Sequence, residues 1–272
     1  MAGEWNSRLV SLTTLILFWL LLGVSFGSFI NVLADRLPAG RSISRPPSHC
    51  GTCDRRLTAL DLIPVVSYLA LRGRCRTCGA SIGPRVFWVE LLTGALFVGV
   101  AAHIAPTDGA GWLRLILMSL YLLVFITVTV TDLEHQLILD VVIYPAIMLA
   151  VIGVAISDVA ALPTHLLGGA LGAGLITMII GLVPGGMGWG DAKLAGFIGL
   201  VVGLNGLPFA LFVAFVSGGS VGGVLLATRH KQRGQTIALG PFLAVGGAFI
   251  LLIGSDTAVR AFDSWSRALH GG

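Results

Sequence analysis

Apolar residues fall in long blocks along this chain and do not alternate with polar ones. Sparsely charged stretches run from Leu9 to Ala34 and then roughly from 86 to 105, 113 to 131, 141 to 157, 165 to 183, 191 to 203, 207 to 228 and 237 to 254. Blocks of this kind match the about 20 residues a helix needs to cross a bilayer, whereas barrel strands would show about 10 residues of alternating polarity. The pattern predicts an all-α polytopic membrane protein of about eight transmembrane helices. The first block is too long for a signal-peptide core and no small-residue cleavage site follows it, so it is read as a retained helix. The sixth block is short, and the break GLNGLP (203 to 208) leaves open that the sixth and seventh form one bent or re-entrant element.

Composition agrees with the blocks. Of 272 residues, 56% are hydrophobic and 11% charged, with mean hydropathy +0.93, against about 45–50% and about 25% in soluble domains. A water-soluble globule is excluded and a lipid bilayer is the expected surround. A net charge of +4 is too weak for a nucleic-acid footprint, so no nucleic-acid partner is expected. Glycine supplies 37 residues, about twice its usual share, and small residues let helix backbones approach closely in lipid. GGALGAG (168 to 174) and GGSVGG (218 to 223) read as such packing stretches.

Orientation follows from Arg and Lys, which favour cytoplasmic loops. Segment 35–85 holds nine Arg; with it inside, Lys193, Arg229, Lys231 and Arg233 join it, and only Arg8, Arg114, Arg260 and Arg267 lie outside. The predicted organisation is a first helix over 1–34, a cytoplasmic domain over 35–85, a helix bundle over 86–254 and a tail over 255–272.

All four cysteines lie in the cytoplasmic segment, as Cys50-x2-Cys53 and Cys75-x2-Cys78 with 21 residues between the pairs. This is close to two-knuckle zinc spacing, whose linker is usually about 15–20 residues. Four thiolates satisfy tetrahedral Zn2+ with no open position, which points to a structural metal in a loop with little apolar material of its own. Free thiols or two disulfides are the alternatives, the latter disfavoured in a reducing compartment.

Two acids at span ends carry the candidate chemistry. Asp132 ends the third span in TVTVTDLEHQLILD (127 to 140) and Asp191 opens the sixth in GGMGWGDAKL (185 to 194). The chain crosses twice between them, so parity returns both to one face of the membrane. Two carboxylates a few ångströms apart share a proton, one activating water while the other polarises a carbonyl, which is aspartic-protease chemistry. Gly185, Gly186, Gly188 and Gly190 would let another chain lie close. Plainer roles compete: Asp191 as a helix N-cap, Asp140 as the cap of the fourth span, Lys193 as a snorkelling side chain. Glu134 and His135 suit a solvated turn, Glu90 the headgroup region and Asn31 a helix–helix hydrogen bond.

Taken together these stretches resemble the type IV prepilin peptidases, which belong with the membrane-embedded GxGD aspartic proteases. The likeness rests on GSFINVLADRLP (27 to 38), both CxxC pairs, LTALDLIPVVSYLALRGRCRTC (57 to 78), VELLTG (89 to 94), TDLEHQLILD (131 to 140), GMGWGDAKLAGFIG (186 to 199) and LGPFLAVGGA (239 to 248), which sample nearly the whole chain in order. The resemblance implies that Asp132 and Asp191 are the catalytic pair, that Gly188, Gly190 and Lys193 complete the second motif, and that Asn31 and Glu90 bind substrate or support the site. Leu139 departs from the family's usual proline and is expected to alter the turn before Asp140.

The resemblance also implies the substrates and setting: type IV prepilins and type II secretion pseudopilins, cut after a Gly on the cytoplasmic side of a bacterial inner membrane. Members with the four cysteines commonly also methylate the new N-terminus with S-adenosylmethionine, an activity for which the sequence offers no readable cofactor-cradling Gly loop. Because a basic leader would be repelled by the nine Arg, these are read as contacts to anionic lipid headgroups. A membrane transporter with a regulatory zinc domain and a purely structural membrane subunit are the rival readings; the former would want a midplane acid and an inverted repeat, neither of which is evident.

Overall fold

A computed structural model describes residues 2–183, 187–228 and 238–270. Its helices are α1 (Ala2–Arg36), α2 (Val66–Ala70), α3 (Pro84–Ile104), α4 (Gly109–His135), α5 (Asp140–Ser157), α6 (Leu162–Leu182), α7 (Trp189–Ala227), α8 (Gly240–Ile253) and α9 (Ser255–His270). Two short 3-10 turns, Ala59–Leu62 and Val159–Ala161, interrupt the connections. Strand pairing among the described residues is limited to isolated bridges, one at each Cys pair. The chain divides into two compact units, Met1–Thr127 and Val128–Gly272, with the division inside α4. Gly185 and Gly186, and the loop charges Arg229, Lys231 and Arg233, lie outside the described residues.

In the first unit α1 and α3 pack antiparallel with their backbones nearly touching. A Cβ on Gly27 would meet the Cα of Glu90 at 2.7 Å, and one on Gly23 would meet the Cα of Gly94 at 2.9 Å. Only glycine permits that approach, which replaces the missing hydrophobic drive between helices in lipid with dispersion contact. Trp19 fixes the neighbouring helix by donating its indole N–H to Ser119 Oγ at 3.0 Å. Leu17, Phe18, Leu21, Trp88 and Leu92 are exposed, as suits side chains meant for acyl chains.

In the second unit α6 packs against the first half of α7 through the GGALGAG stretch. Cβ atoms at Gly168 and Gly172 would run into the backbones at Gly199 and Ala195. Ile176, Ala192 and Ala195 form a core cluster there. The GGSVGG stretch packs less than expected: Gly218 meets Phe242, whereas Gly219 and Gly223 have nothing within 4 Å.

Among the described residues six helices are long and apolar enough to cross a membrane, or seven if α8 and α9, which meet at 88°, count as one broken span. The expectation of about eight spans differs from this number at α7, which is counted here as one. Its residues are the predicted sixth and seventh blocks, joined without a loop. At Gly203 the backbone leaves the helix (φ 71°, ψ 177°). A Cβ on Gly206 would approach that of Val202 to 2.9 Å, where an unbroken helix holds such a pair about 5–6 Å apart. His165 on α6 bonds the Leu200 carbonyl through Nδ1 at 2.7 Å, satisfying an acceptor beside the break.

The arms of α7 fold back on each other. Gly206, Ala210 and Gly218 pack in turn against Ile250, Gly246 and Phe242 of α8. The first turn of α8 also touches Asp132, whose charge Asp191 perturbs. A straight helix would set Asp191 and Gly218 about 40 Å apart, yet both lie around that turn.

Replacing Gly172 by Val should drive a side chain into the Ala195 backbone and cost on the order of 1–3 kcal/mol, whereas the same change at Gly174, with nothing within 4 Å, should be tolerated. Thermal unfolding in detergent, read for both variants, checks the pair.

Candidate functional site

Both predicted aspartates lie in the second unit, buried and within electrostatic reach of each other. α4 ends because Gln136 turns left-handed (φ 53°) and returns its N–H to the Asp132 carbonyl at 3.0 Å. Asp132 is thereby placed on the last turn of α4, 6% exposed. Its Oδ2 accepts the N–H of Gly240, the first residue of α8, at 2.9 Å. That N–H is one of the orphan donors of a helix start, and the dipole there favours an anion. Pro241 follows and contributes no donor of its own.

Asp191 lies in the first turn of α7, 8% exposed, and its Oδ2 accepts the Gly188 N–H at 2.9 Å. Asp191 N–H in turn donates to the Gly188 carbonyl at 3.0 Å. Asp191 therefore does serve the α7 start, from the third helical position. Burying the carboxylate within electrostatic reach of a second buried acid is more than capping requires.

Of the two motif glycines, Gly190 is required sterically. A Cβ on Gly190 would strike Ile138 of the α4–α5 connection at 2.8 Å, while Gly188 supplies the N–H that Asp191 accepts. Sequence reasoning missed Gly240. A Cβ there would lie 2.6 Å from Asp132 Oδ2; the Gly-Pro pair opening a helix was the available signal.

Other predicted residues fall elsewhere. Lys193 turns to Asp140, with Nζ 2.5 Å from Oδ1 and 4.9 Å from the centre of the Tyr144 ring. Asp140 is the first residue of α5 and Leu139 its N-cap, which corrects the expected capping role. Leu139 at φ −75°, ψ 124° holds a conformation open to proline, so its departure from the family pattern leaves the turn unaltered. Glu134 and His135 are partly exposed and face each other at 3.9 Å.

Asn31 and Glu90 lie in the first unit on the α1–α3 seam, 5% and 4% exposed. Glu90 is buried in the protein. Its Oε2 accepts the Val65 N–H at 2.7 Å. Asn31 donates to the carbonyls of Gly27 and Val86, and its Oδ1 is buried without a partner, which costs about 1–3 kcal/mol.

The four cysteines converge. Their sulfurs all lie within 4.8 Å of one another, with Cys50 and Cys78 at 3.8 Å. A tetrahedron with metal–sulfur bonds of about 2.3 Å has edges of about 3.8 Å, so the group fits a zinc-sized ion. Each knuckle is a repeat of the other: Cys50 N–H donates to the Arg55 carbonyl and Cys75 N–H to that of Ala80, with Asp54 and Gly79 both left-handed. Backbone N–H groups of Cys78 and Thr77 pull the Cys75 thiol down to about 6 and those of Thr52 and Cys53 lower Cys50, whereas burial and the neighbouring sulfurs push Cys78 up to about 11.

Asp61 joins the knuckles, accepting from Arg76 Nε at 2.8 Å and Arg55 at 2.6 Å. Arg36, Arg41 and Arg85 also bond within the chain, the last to Asp35 at 2.7 Å. Five of the nine arginines thus serve the loop's own structure, which corrects their assignment to lipid.

Arg76 first, then the Thr58 N–H, hold the Asp61 carboxyl well below the ordinary carboxylate range. Its contribution is therefore complete above about pH 4 and fades as the pH falls from there toward the lowered value. Asp61→Asn should make the loop protease-sensitive at neutral pH, and should flatten the acid-induced loosening of the parent, both read by limited proteolysis.

Comparison with known proteins agrees with this geometry. Residues 21–104 match the bacterial peptidase A24 N-terminal domain and residues 119–223 the type IV leader peptidase family. A prepilin leader peptidase/N-methyltransferase of Pseudomonas aeruginosa is 32% identical, covering 91% of this chain and 93% of its own. Proteins of the same name from Stutzerimonas stutzeri and Bacillus subtilis are 33% and 30% identical, over 93% and 86% of this chain and 95% and 92% of theirs. No solved structure matches. On sequence identity across nearly its whole length, the chain belongs to the type IV leader peptidase family.

Proposed function

We propose that the chain is a membrane aspartic endopeptidase that cleaves the leader of type IV prepilins and type II secretion pseudopilins after a Gly, and then methylates the new N-terminus with S-adenosylmethionine. The observation that carries this is that two buried carboxylates, Asp132 and Asp191, each accept one backbone N–H from a helix start and lie within electrostatic reach of each other. The names of the relatives support both activities, and nothing supports a transporter.

The chemistry needs no covalent intermediate. One carboxylate takes a proton from water as its oxygen attacks the scissile carbonyl, and the other, protonated, donates to the carbonyl oxygen. The tetrahedral intermediate then collapses: the C–N bond breaks, the leaving amine takes a proton from the acid formed in the first step, and a hydroxyl of the former carbonyl carbon returns its proton to the second carboxylate. Gly240 and Gly188 fix one oxygen of each carboxylate and so orient the other. The four thiolates hold Zn2+ as a structural staple for the loop between the first two spans. The Arg-rich loop favours a bacterial inner membrane orientation with this loop and the aspartates facing the cytoplasm. The fold-back of α7 keeps the parity on which that orientation depends.

Asp132→Asn and Asp191→Asn should each lower cleavage of a pilin precursor by a factor on the order of a thousand or more while the protein still inserts. Product mass reports leader loss, and retained activity in both would sink the assignment. Gly240→Ala, by pushing Asp132 aside, should cost about tenfold or more. Purified protein should carry one zinc per chain by elemental analysis, lost in Cys75→Ser; freely alkylated thiols and no metal would reject the staple.

A further inference from the structure

Asp132 closes α4 and Asp191 opens α7, so the place of one acid relative to the other depends on what ties those two helix ends together. α8 supplies one tie, the Gly240 N–H on Asp132. It is indirect, because the contacts of α8 with α7 at Gly206, Ala210 and Gly218 all fall after the break at Gly203.

The direct tie is the four-residue connection 136–139 between α4 and α5. Its start is fixed to the first acid, whose carbonyl takes the Gln136 N–H at 3.0 Å. Its middle is fixed to α7. A Cβ built on Gly190 would meet Ile138 Cβ at 2.8 Å, Cγ1 at 3.3 Å and Cδ1 at 3.4 Å. Gly190 directly precedes Asp191, so the half-buried Ile138 side chain bears on the backbone that carries the second acid. Just past the connection Asp140 holds Lys193, two residues beyond Asp191, at 2.5 Å, and α5 then runs along α7. The two contacts bracket Asp191. Asp140 is 59% exposed, and an exposed ion pair contributes about 1 kcal/mol at most. The steric contact of Ile138 on a bare Cα is therefore the stiffer of the two, and a misplacement of about 1 Å can lower a rate about a hundredfold.

We propose that Ile138 is a positioning residue for the aspartate pair: wedged against Gly190, its side chain sets the place of Asp191 relative to Asp132, and the Asp140–Lys193 pair steadies the connection from its other end. This rests on the function proposed above. Ile138 acts through the backbone of α7 and not on the reacting atoms. Lys193 serves the connection and not the substrate. Displacing the wedge changes the rate of the chemical step and leaves substrate binding in place.

The test measures kcat and KM for leader cleavage of a pilin precursor by the full chain in detergent, counted per chain that keeps the parental thermal transition. Ile138→Val and Ile138→Ala should lower kcat in that order, the second about tenfold, with KM within about twofold of the parent. Gly190→Ala should lower kcat about a hundredfold. Gly190 is not held at positive φ, and the three atoms nearest its missing Cβ all belong to Ile138. Ile138→Gly, harmful alone, should therefore raise kcat about fivefold or more when added to Gly190→Ala. Asp140→Asn and Lys193→Gln should each lower kcat about threefold, and the double variant should be no worse than either. Losses at Ile138 and Gly190 that simply add, a KM rise with parental kcat in Ile138→Ala, or a KM rise in Lys193→Gln would each overturn the proposal alone. Where the glycine variants do not fold, the order Ile, Val, Ala in kcat at constant KM decides it, and equal kcat in all three overturns it. An unaltered protein that does not shorten the precursor would overturn the functional reading and this proposal with it.

Discussion

A carboxylate removed from water needs a donor, and a bundle of apolar helices offers few. Inside each helix the backbone N–H groups are consumed by the ladder; only the first turn leaves them free. Asp132 and Asp191 solve this in the same way, each taking one N–H from a helix start, that of α8 in one case and of α7 in the other. The second unit is arranged around that constraint. α4 must end within a turn of Asp132, α7 must begin beside Asp191, and α8 must start at Gly240 with nothing on its Cα to crowd the carboxylate.

The same constraint explains α7. If Asp191 opens the helix and Phe242 of α8 packs on Gly218, the chain has to cover the intervening residues and come back. A glycine at φ 71° with a histidine on the Leu200 carbonyl is how it does so. Sequence pattern placed a break in this region because GLNGLP interrupts the apolar run. It could not separate a loop between two spans from a fold-back inside one continuous helical stretch, since both consume the same glycines and the same apolar residues.

Legibility differed by kind of signal. Spans and the two knuckles were readable because each repeats a local rule: block length and CxxC spacing. The knuckles even repeat each other, with Asp54 in the left-handed position that Gly79 takes in the second, although Asp/Gly equivalence is hard to notice without the paired backbone bonds. Contacts between distant segments were not readable. Gly240 approaches Asp132 from across the unit, Lys193 turns toward Asp140, and Arg85 finds Asp35 on the preceding long helix. None of these follows from a residue's neighbours in sequence.

Glycine has two distinct jobs here, and they bear differently on function. At Gly23, Gly27, Gly168 and Gly172 the missing side chain lets two backbones touch, so a substitution acts on packing everywhere along the seam. At Gly190 and Gly240 the missing side chain makes room for one particular neighbour, Ile138 or the Asp132 carboxylate. Gly27 shows how the two jobs meet. By letting α1 lie directly on the Glu90 backbone it draws Asn31 and Glu90 into adjoining turns of one dry seam. A larger residue would separate the helices and admit lipid or water, and an amide oxygen that is unpartnered only because it is sealed would then be satisfied by solvent. Close packing in this unit is therefore what keeps that oxygen from water, just as helix starts in the other unit are what keep two acids in place.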